Sequence, residues 1–283
     1  MRVANTDQEQ YWNTEAGAKW VRYQQFLDAQ IRPLGHKAMD LAGVAQGEQV
    51  LDIGCGCGDT TIDLARRVGP EGRVLGIDLS TPMIERARER AEAEDLENVV
   101  FVRGDAQTYR FPEGKFHVLF SRFGVMFFSD PVEAFANLRT AACRGARLSF
   151  VCWQAVTENP WMAVPMMAVL QHMSGVEVPN PDAPGPFAFA NREKVRGILE
   201  RAGYQDLVFH DVREELSIGG TEPLEAVVDF LLQMGPAGKL LRTAGSELRQ
   251  RVATSVTEAL QPYATASGIR MPGAAWIVTA RVP

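Results

Sequence analysis

Nowhere in these 283 residues does an uninterrupted apolar run reach about 18, and the opening MRVANTDQEQYWN holds no apolar signal-peptide core. Neither export nor a membrane partner is expected, and a cytoplasmic location is. Blocks of Lys or Arg are missing too. With 29 basic against 35 acidic residues and a formal net charge of −6, a nucleic-acid backbone would meet no broad positive face, so nucleic acid is not an expected partner. Cysteine is scarce: Cys55, Cys57, Cys143 and Cys152 have no His or Cys at zinc-site spacing, which argues against a metal. In a reducing compartment they would stay thiols, with Cys55 and Cys57 as small fillers of a tight loop. Repeats and low-complexity tracts are absent. Oligomeric state has no signature in the sequence, and a homodimer is compatible with it. Hydrophobic residues are plentiful at 46%, enough for one large α/β domain with insertions.

Strand and helix signals alternate between residues 49 and 153, the rhythm of a parallel sheet with crossover helices. Strands are expected at 49–53, 73–77, 99–102, 116–121 and 146–152. A helix over 60–68 ends at Gly69-Pro70, Pro82 opens another, and Asp130-Pro131 starts a third. Past Trp153 the rhythm breaks into a Met-rich helical stretch, 161–173, and the proline-dense VPNPDAPGP, unsuited to a helix or a central strand. It resumes with a helix at 192–202 and a strand at 207–212, followed by a helical insertion from 223 and a last strand at 275–281. The expected organisation is an N-terminal helical cap (1–45), a ligand-binding half (46–153), a cap insertion (154–190), sheet completion (191–222 and 270–283) and a helical insertion (223–269). The fold class is α/β: a Rossmann-like, doubly wound, mostly parallel seven-stranded sheet with helical cap insertions.

The most informative stretch is 49–60, QVLDIGCGCGDT, where a strand runs into Asp52 and then into Gly54, Gly56 and Gly58. Glycines there let the backbone turn and lie against a ligand, and Asp59 is placed to cap the following helix. A dinucleotide fingerprint also follows a first strand and wants an acid about 20 residues on, which Asp78 supplies. That fingerprint requires its third glycine where Asp59 stands, whereas the acid Asp52 precedes the first glycine. The stretch therefore resembles motif I of the class I S-adenosylmethionine (SAM) methyltransferases. No Pro-Pro-aromatic signature of adenine or amide methylation follows strand four, where the chain reads SRFGVMFFSDP. That segment, YWNTEAGAKW near the start and LSFVCW resemble the bacterial small-molecule branch related to ubiquinone and menaquinone C-methyltransferases. His117 departs from the family, which usually has Asp there.

The resemblance implies SAM as cofactor, S-adenosylhomocysteine as product and a small-molecule methyl acceptor. Asp78 and Asp105, just past strands two and three, match the family's acidic ribose and adenine positions. Asp52 would orient the methionine moiety while Gly54 and Gly56 let the backbone approach it, and Leu79 and Met83 would sandwich the adenine. Cys55, Asp59, Thr60, Gly104, Ala106, Ser121 and Phe123 complete the expected cofactor set. One N-terminal helix is expected to carry Trp12, Ala16, Trp20, Tyr23 and Leu27 on one face. From it Trp20 and Tyr23, with Phe127 and Trp153, are candidate walls of the acceptor pocket, all equally compatible with plain core. Met166 and Met167 suggest an adaptable apolar wall. A general base is needed only if the acceptor must lose a proton, and His172 and His117 are the candidates. Two alternatives stay open: a SAM-fold protein with a non-catalytic role or other chemistry, and a NAD-dependent oxidoreductase.

Overall fold

A computed structural model describes residues 4–173, 180 and 183–283. Five parallel strands, β1 (Gln49–Ile53), β2 (Arg73–Asp78), β3 (Val99–Arg103), β4 (Phe116–Arg122) and β5 (Ala142–Trp153), alternate with helices α4 (Asp59–Val68), α5 (Thr81–Glu92) and α6 (Pro131–Ala141). The central strands are apolar almost throughout, with Leu51, Leu119, Phe120 and Phe150 wholly buried, because helices cover both faces. Sheet order is β3-β2-β1-β4-β5-β8-β6, with β6 (Gln205–Ile218) and β8 (Gly268–Arg281) the two long strands beyond β5, so the chain leaves β1 towards β2 and later returns to its other side at β4. That reversal opens a crevice past the carboxyl end of β1.

The last strand, β8 (Gly268–Arg281), lies antiparallel between β5 and β6 (Gln205–Ile218). Both β6 and β8 are longer than the sequence suggested, since their first or last halves alternate polar and apolar residues as a half-exposed ribbon does. An eighth strand, β7 (Ala264–Thr265), makes a tight hairpin with β8 and is too short to leave a period-2 trace. Helix α8 (Arg192–Arg201) forms where expected, its N-terminus capped by Asn191.

The single N-terminal helix of the sequence reading is three: α1 (Thr6–Trp12), α2 (Glu15–Arg22) and α3 (Gln24–Ala42). Asn13 makes the first break. Its amide donates to the carbonyls of Glu9 and Leu79 and accepts from the Thr81 N–H, so it ends α1 while serving the start of α5. Helix α7 (Pro160–Leu170) follows β5, and α9 (Leu224–Gln233), α10 (Gly235–Leu241) and α11 (Ser246–Leu260) precede β7. Residues 174–179 and 181–182, which include part of the proline-dense segment, lie outside the described residues.

Candidate active site

A cavity occupies the crevice, floored by the loop after β1 and roofed by α1–α3, α7 and α9. Gly54, Gly56 and Gly58 all adopt positive φ (68°, 55° and 83°), which only glycine takes without strain. Gly54 also meets Gly124, beyond β4: a Cβ on Gly124 would stand 2.8 Å from the Gly54 Cα. Two backbones therefore cross in contact at the floor. Ser121 serves this crossing rather than the cavity. Its hydroxyl donates to the Ile53 carbonyl (2.7 Å) and accepts from the Gly124 N–H (3.2 Å).

The three acids behave differently. Asp52 is wholly buried beneath the floor and does not line the cavity. One of its oxygens accepts from the hydroxyls of Thr60 and Thr61, both at 2.7 Å, and the other has no partner among the described residues. Burial outweighs those hydrogen bonds and pushes its carboxyl up to about 6. Asp78 reaches the cavity. It accepts from the N–H groups of Gly56 and Ser80, each at 2.9 Å, one at each carboxylate oxygen. Burial raises its pKa against those bonds. Asp105 also lines the cavity, but its acceptor sites are filled: Oδ2 by the N–H groups of Ala4 and Asn5, Oδ1 by the Asn5 side-chain amide and the Gln107 N–H. Its expected adenine contact requires the Ala4–Asn5 segment to yield.

Asp59 departs from both expectations for it. Gly58, not Asp59, is the N-cap of α4, and the Asp59 carboxylate does not line the cavity. It is held by Arg122 (2.7 Å), Arg90 (3.2 Å) and Arg32, while Arg122 and Arg90 also pair with Asp28. Burial alone would raise Asp59, but Arg122 and the Arg32 hydrogen bond hold it well below the usual carboxylate range. Burial lifts Asp28 despite Arg122. The knot binds α3, α4, α5 and β4 together, and its Asp28 and Arg122 face the cavity beside Thr60. Sequence reasoning missed both, although Arg122 stands at the end of β4, where such residues are sought.

The rest of the cavity lining is largely apolar and aromatic. Trp12 meets Trp20 and Phe127 edge-on at 5.5 and 5.4 Å. Phe123, forced to φ 63°, stacks on Trp153 at 4.1 Å and 16°. Trp20, Phe123, Phe127 and Trp153 thus line the cavity, as do Gly54, Cys55, Gly56, Thr60, Leu79, Met83, Gly104 and Ala106. Tyr23 does not: its hydroxyl donates to Asp229 and its ring packs on Phe230. The α7 wall is Trp161, Met162 and Pro165, whereas Met166 lies off the cavity and Met167 is 60% exposed.

Neither histidine reaches the cavity. His117 is second in β4, at the end remote from the crevice, where its Nδ1 accepts from the Gln49 N–H. His172 pairs with Ser255 and Arg251 on α11. The Cys55 and Cys57 thiols are buried and pushed up, Cys57 to about 12, chiefly by burial, so both are unreactive fillers. Among the described residues no group of His, Cys, Asp and Glu could hold a metal, and no helix is long and apolar enough to cross a membrane.

Residues 50–145 match a family described as a methyltransferase domain. Aklanonic acid methyltransferase from Streptomyces is 37% identical over 118 residues, 42% of this chain and 54% of that protein. Demethylmenaquinone methyltransferase from Listeria welshimeri is 32% identical over 115 residues, 41% of this chain and 49% of that protein. The chain thus spans about half the length of the curated relatives it matches. Among solved structures, Haemonchus contortus phosphoethanolamine N-methyltransferase 2 in complex with SAM superposes with a TM-score of 0.54 at 17% identity, over 89% of this chain and 52% of that one. Sheet order and glycine loop agree with the match of residues 50–145 to a methyltransferase domain.

Proposed function

We propose that the chain transfers the methyl group of SAM to a small, largely apolar molecule. The observation that carries this reading is one cavity lined both by the glycine loop with Asp78 and by the aromatic side chains of Trp12, Trp20, Phe127 and Trp153. Asp78, whose carboxylate reaches the cavity, suits a ribose diol, and Leu79 and Met83 suit the flanks of an adenine. Asp28 and Arg122, side by side in the cavity, suit the ammonium and carboxylate of an amino acid. When bound, SAM supplies an electrophilic methyl on a sulfonium.

What the protein adds is position and dryness. The aromatic wall excludes water and offers ring faces to a cation, and the caps hold an acceptor against the floor. Since no histidine lines the cavity and the carboxylates there are committed to hydrogen bonds or ion pairs, no side chain is assigned as a general base. Both curated relatives are named for small-molecule acceptors, which supports the same class here. A net charge of −6 supports an acceptor other than nucleic acid.

Calorimetric titration with SAM, S-adenosylhomocysteine and NAD is the test. Micromolar binding of the first two and none of NAD is expected. Folded protein that binds neither SAM nor its product would overturn the proposal.

A further inference from the structure

Asn5 stands at the N-cap position of α1, where an asparagine side chain ordinarily accepts from the first free N–H groups of the helix, yet it makes no such bond. Its amide is spent elsewhere. Nδ2 donates to Asp105 Oδ1 at 2.7 Å, and Oδ1 accepts from the Ser129 N–H at 2.6 Å. The backbone N–H groups of Ala4 and Asn5 donate to Asp105 Oδ2 at 3.0 and 3.1 Å, and the Gln107 N–H donates to Oδ1 at 3.0 Å. A carboxylate offers about four lone-pair sites, and these donors use them all. Asn5 is buried, and both it and Asp105 line the cavity.

The segment that occupies Asp105 is lightly held. No residue of α1, which follows it, is buried. The ties of α1 to the rest of the chain include the surface ion pair of Glu9 with Arg103 (2.7 Å) and the Ser80 hydroxyl on the Trp12 carbonyl (2.9 Å). Beyond α1, Asn13 is fixed to Leu79 and Thr81, which anchors the far end. Ala4 and Asn5 carry no large apolar side chain, so parting them from Asp105 gives up hydrogen bonds rather than a packed core. The freed Asn5 side chain then has a capping place on α1 to return to.

We infer, on the methyltransferase reading above, that the Ala4–Asn5 segment is a built-in competitor for the adenine end of the cofactor. Asn5 Nδ2 offers Asp105 the same kind of N–H donor that the exocyclic amine of adenine offers, and a carboxylate already holding four donors takes a fifth only by losing one. Cofactor binding therefore releases the segment instead of clamping it. The apparent affinity for SAM is reduced by the fraction of molecules in which the segment is docked.

Two measurements on the full chain test this. Amide hydrogen exchange, resolved to single residues, reads the wild type. Saturating S-adenosylhomocysteine should speed exchange at Ala4 and Asn5; unchanged or slower exchange would mean that segment and cofactor share the site, and would overturn the inference. Calorimetry then compares wild type with Asn5→Ala. Removing one bond from the docked segment should tighten S-adenosylhomocysteine binding about tenfold. The analogue with purine in place of adenine has no amine to offer Asp105 and should bind both proteins equally. Unchanged or weaker binding of S-adenosylhomocysteine by the variant, or equal tightening of both ligands, overturns the inference and leaves the cofactor reading standing. Failure of both proteins to bind S-adenosylhomocysteine counts against the methyltransferase reading and removes the inference with it.

Discussion

Asp78 and Asp52 are both carboxylates at strand ends, and their surroundings give them opposite work. Asp78 reaches the cavity, so Asp78→Ala should weaken SAM binding by about 1.5 to 3 kcal/mol, the range for hydrogen bonds to a charged group. Calorimetry reads this directly, and wild-type affinity would remove Asp78 from the site. Asp52 faces no ligand. Its carboxyl is pushed from 3.8 to about 6, first by burial, so the folded state holds a proton that the unfolded chain releases earlier. Stability from this group is present below about pH 4, falls as pH rises to about 6, and stays lost above that. Asp52→Asn should therefore be more stable than wild type at pH 7.5 by on the order of 1 to 3 kcal/mol, with the gap closing near pH 4. Urea unfolding at the two pH values checks it, and a gap independent of pH would contradict the assignment. Asp59 has the opposite sign: its depressed pKa gives stability above 3.8 that goes only as pH falls further.

Elements near the floor are joined by charge as well as by apolar contact. Arg122 links α3 to α4 through Asp28 and Asp59. Arg122→Ala should cost about 3 kcal/mol, because removing one partner leaves buried carboxylates undercompensated. An unchanged urea midpoint and slope would show that Arg90 and Arg32 suffice. At this scale the sequence was readable where period and punctuation are strong: β1–β4 and α8 fall within a residue or two of expectation, since apolar runs and Gly-Pro stops mark them. It was not readable where one side chain decides. Nothing in the pattern of 1–45 reveals that Asn13 would spend its amide on α5 and split the helix, or that Asn5 would fill Asp105. The histidines misled for the same reason: chemistry-bearing side chains are visible in a sequence, while the direction they face is not.

For the whole molecule, the cavity is shared between the sheet and its caps, so a ligand that fills it stabilises both. SAM at 100 times its dissociation constant should add about 2.7 kcal/mol, read as a rise of several degrees in melting temperature, with no rise for NAD. A flat response to SAM would mean that cofactor and fold are not coupled through this site. The sheet itself imposes an order on synthesis. β8 hydrogen-bonds to β5 and β6 on its two sides, yet residues 268–281 leave the ribosome after both. Until then the emerging chain presents two open strand edges, one of them flanked by Phe150 and Val151. Such edges pair readily with other chains. A ribosome pausing shortly before residue 268 would therefore release the most aggregation-prone species this sequence can make, and the speed of translation through its last strand bears on the yield of folded protein.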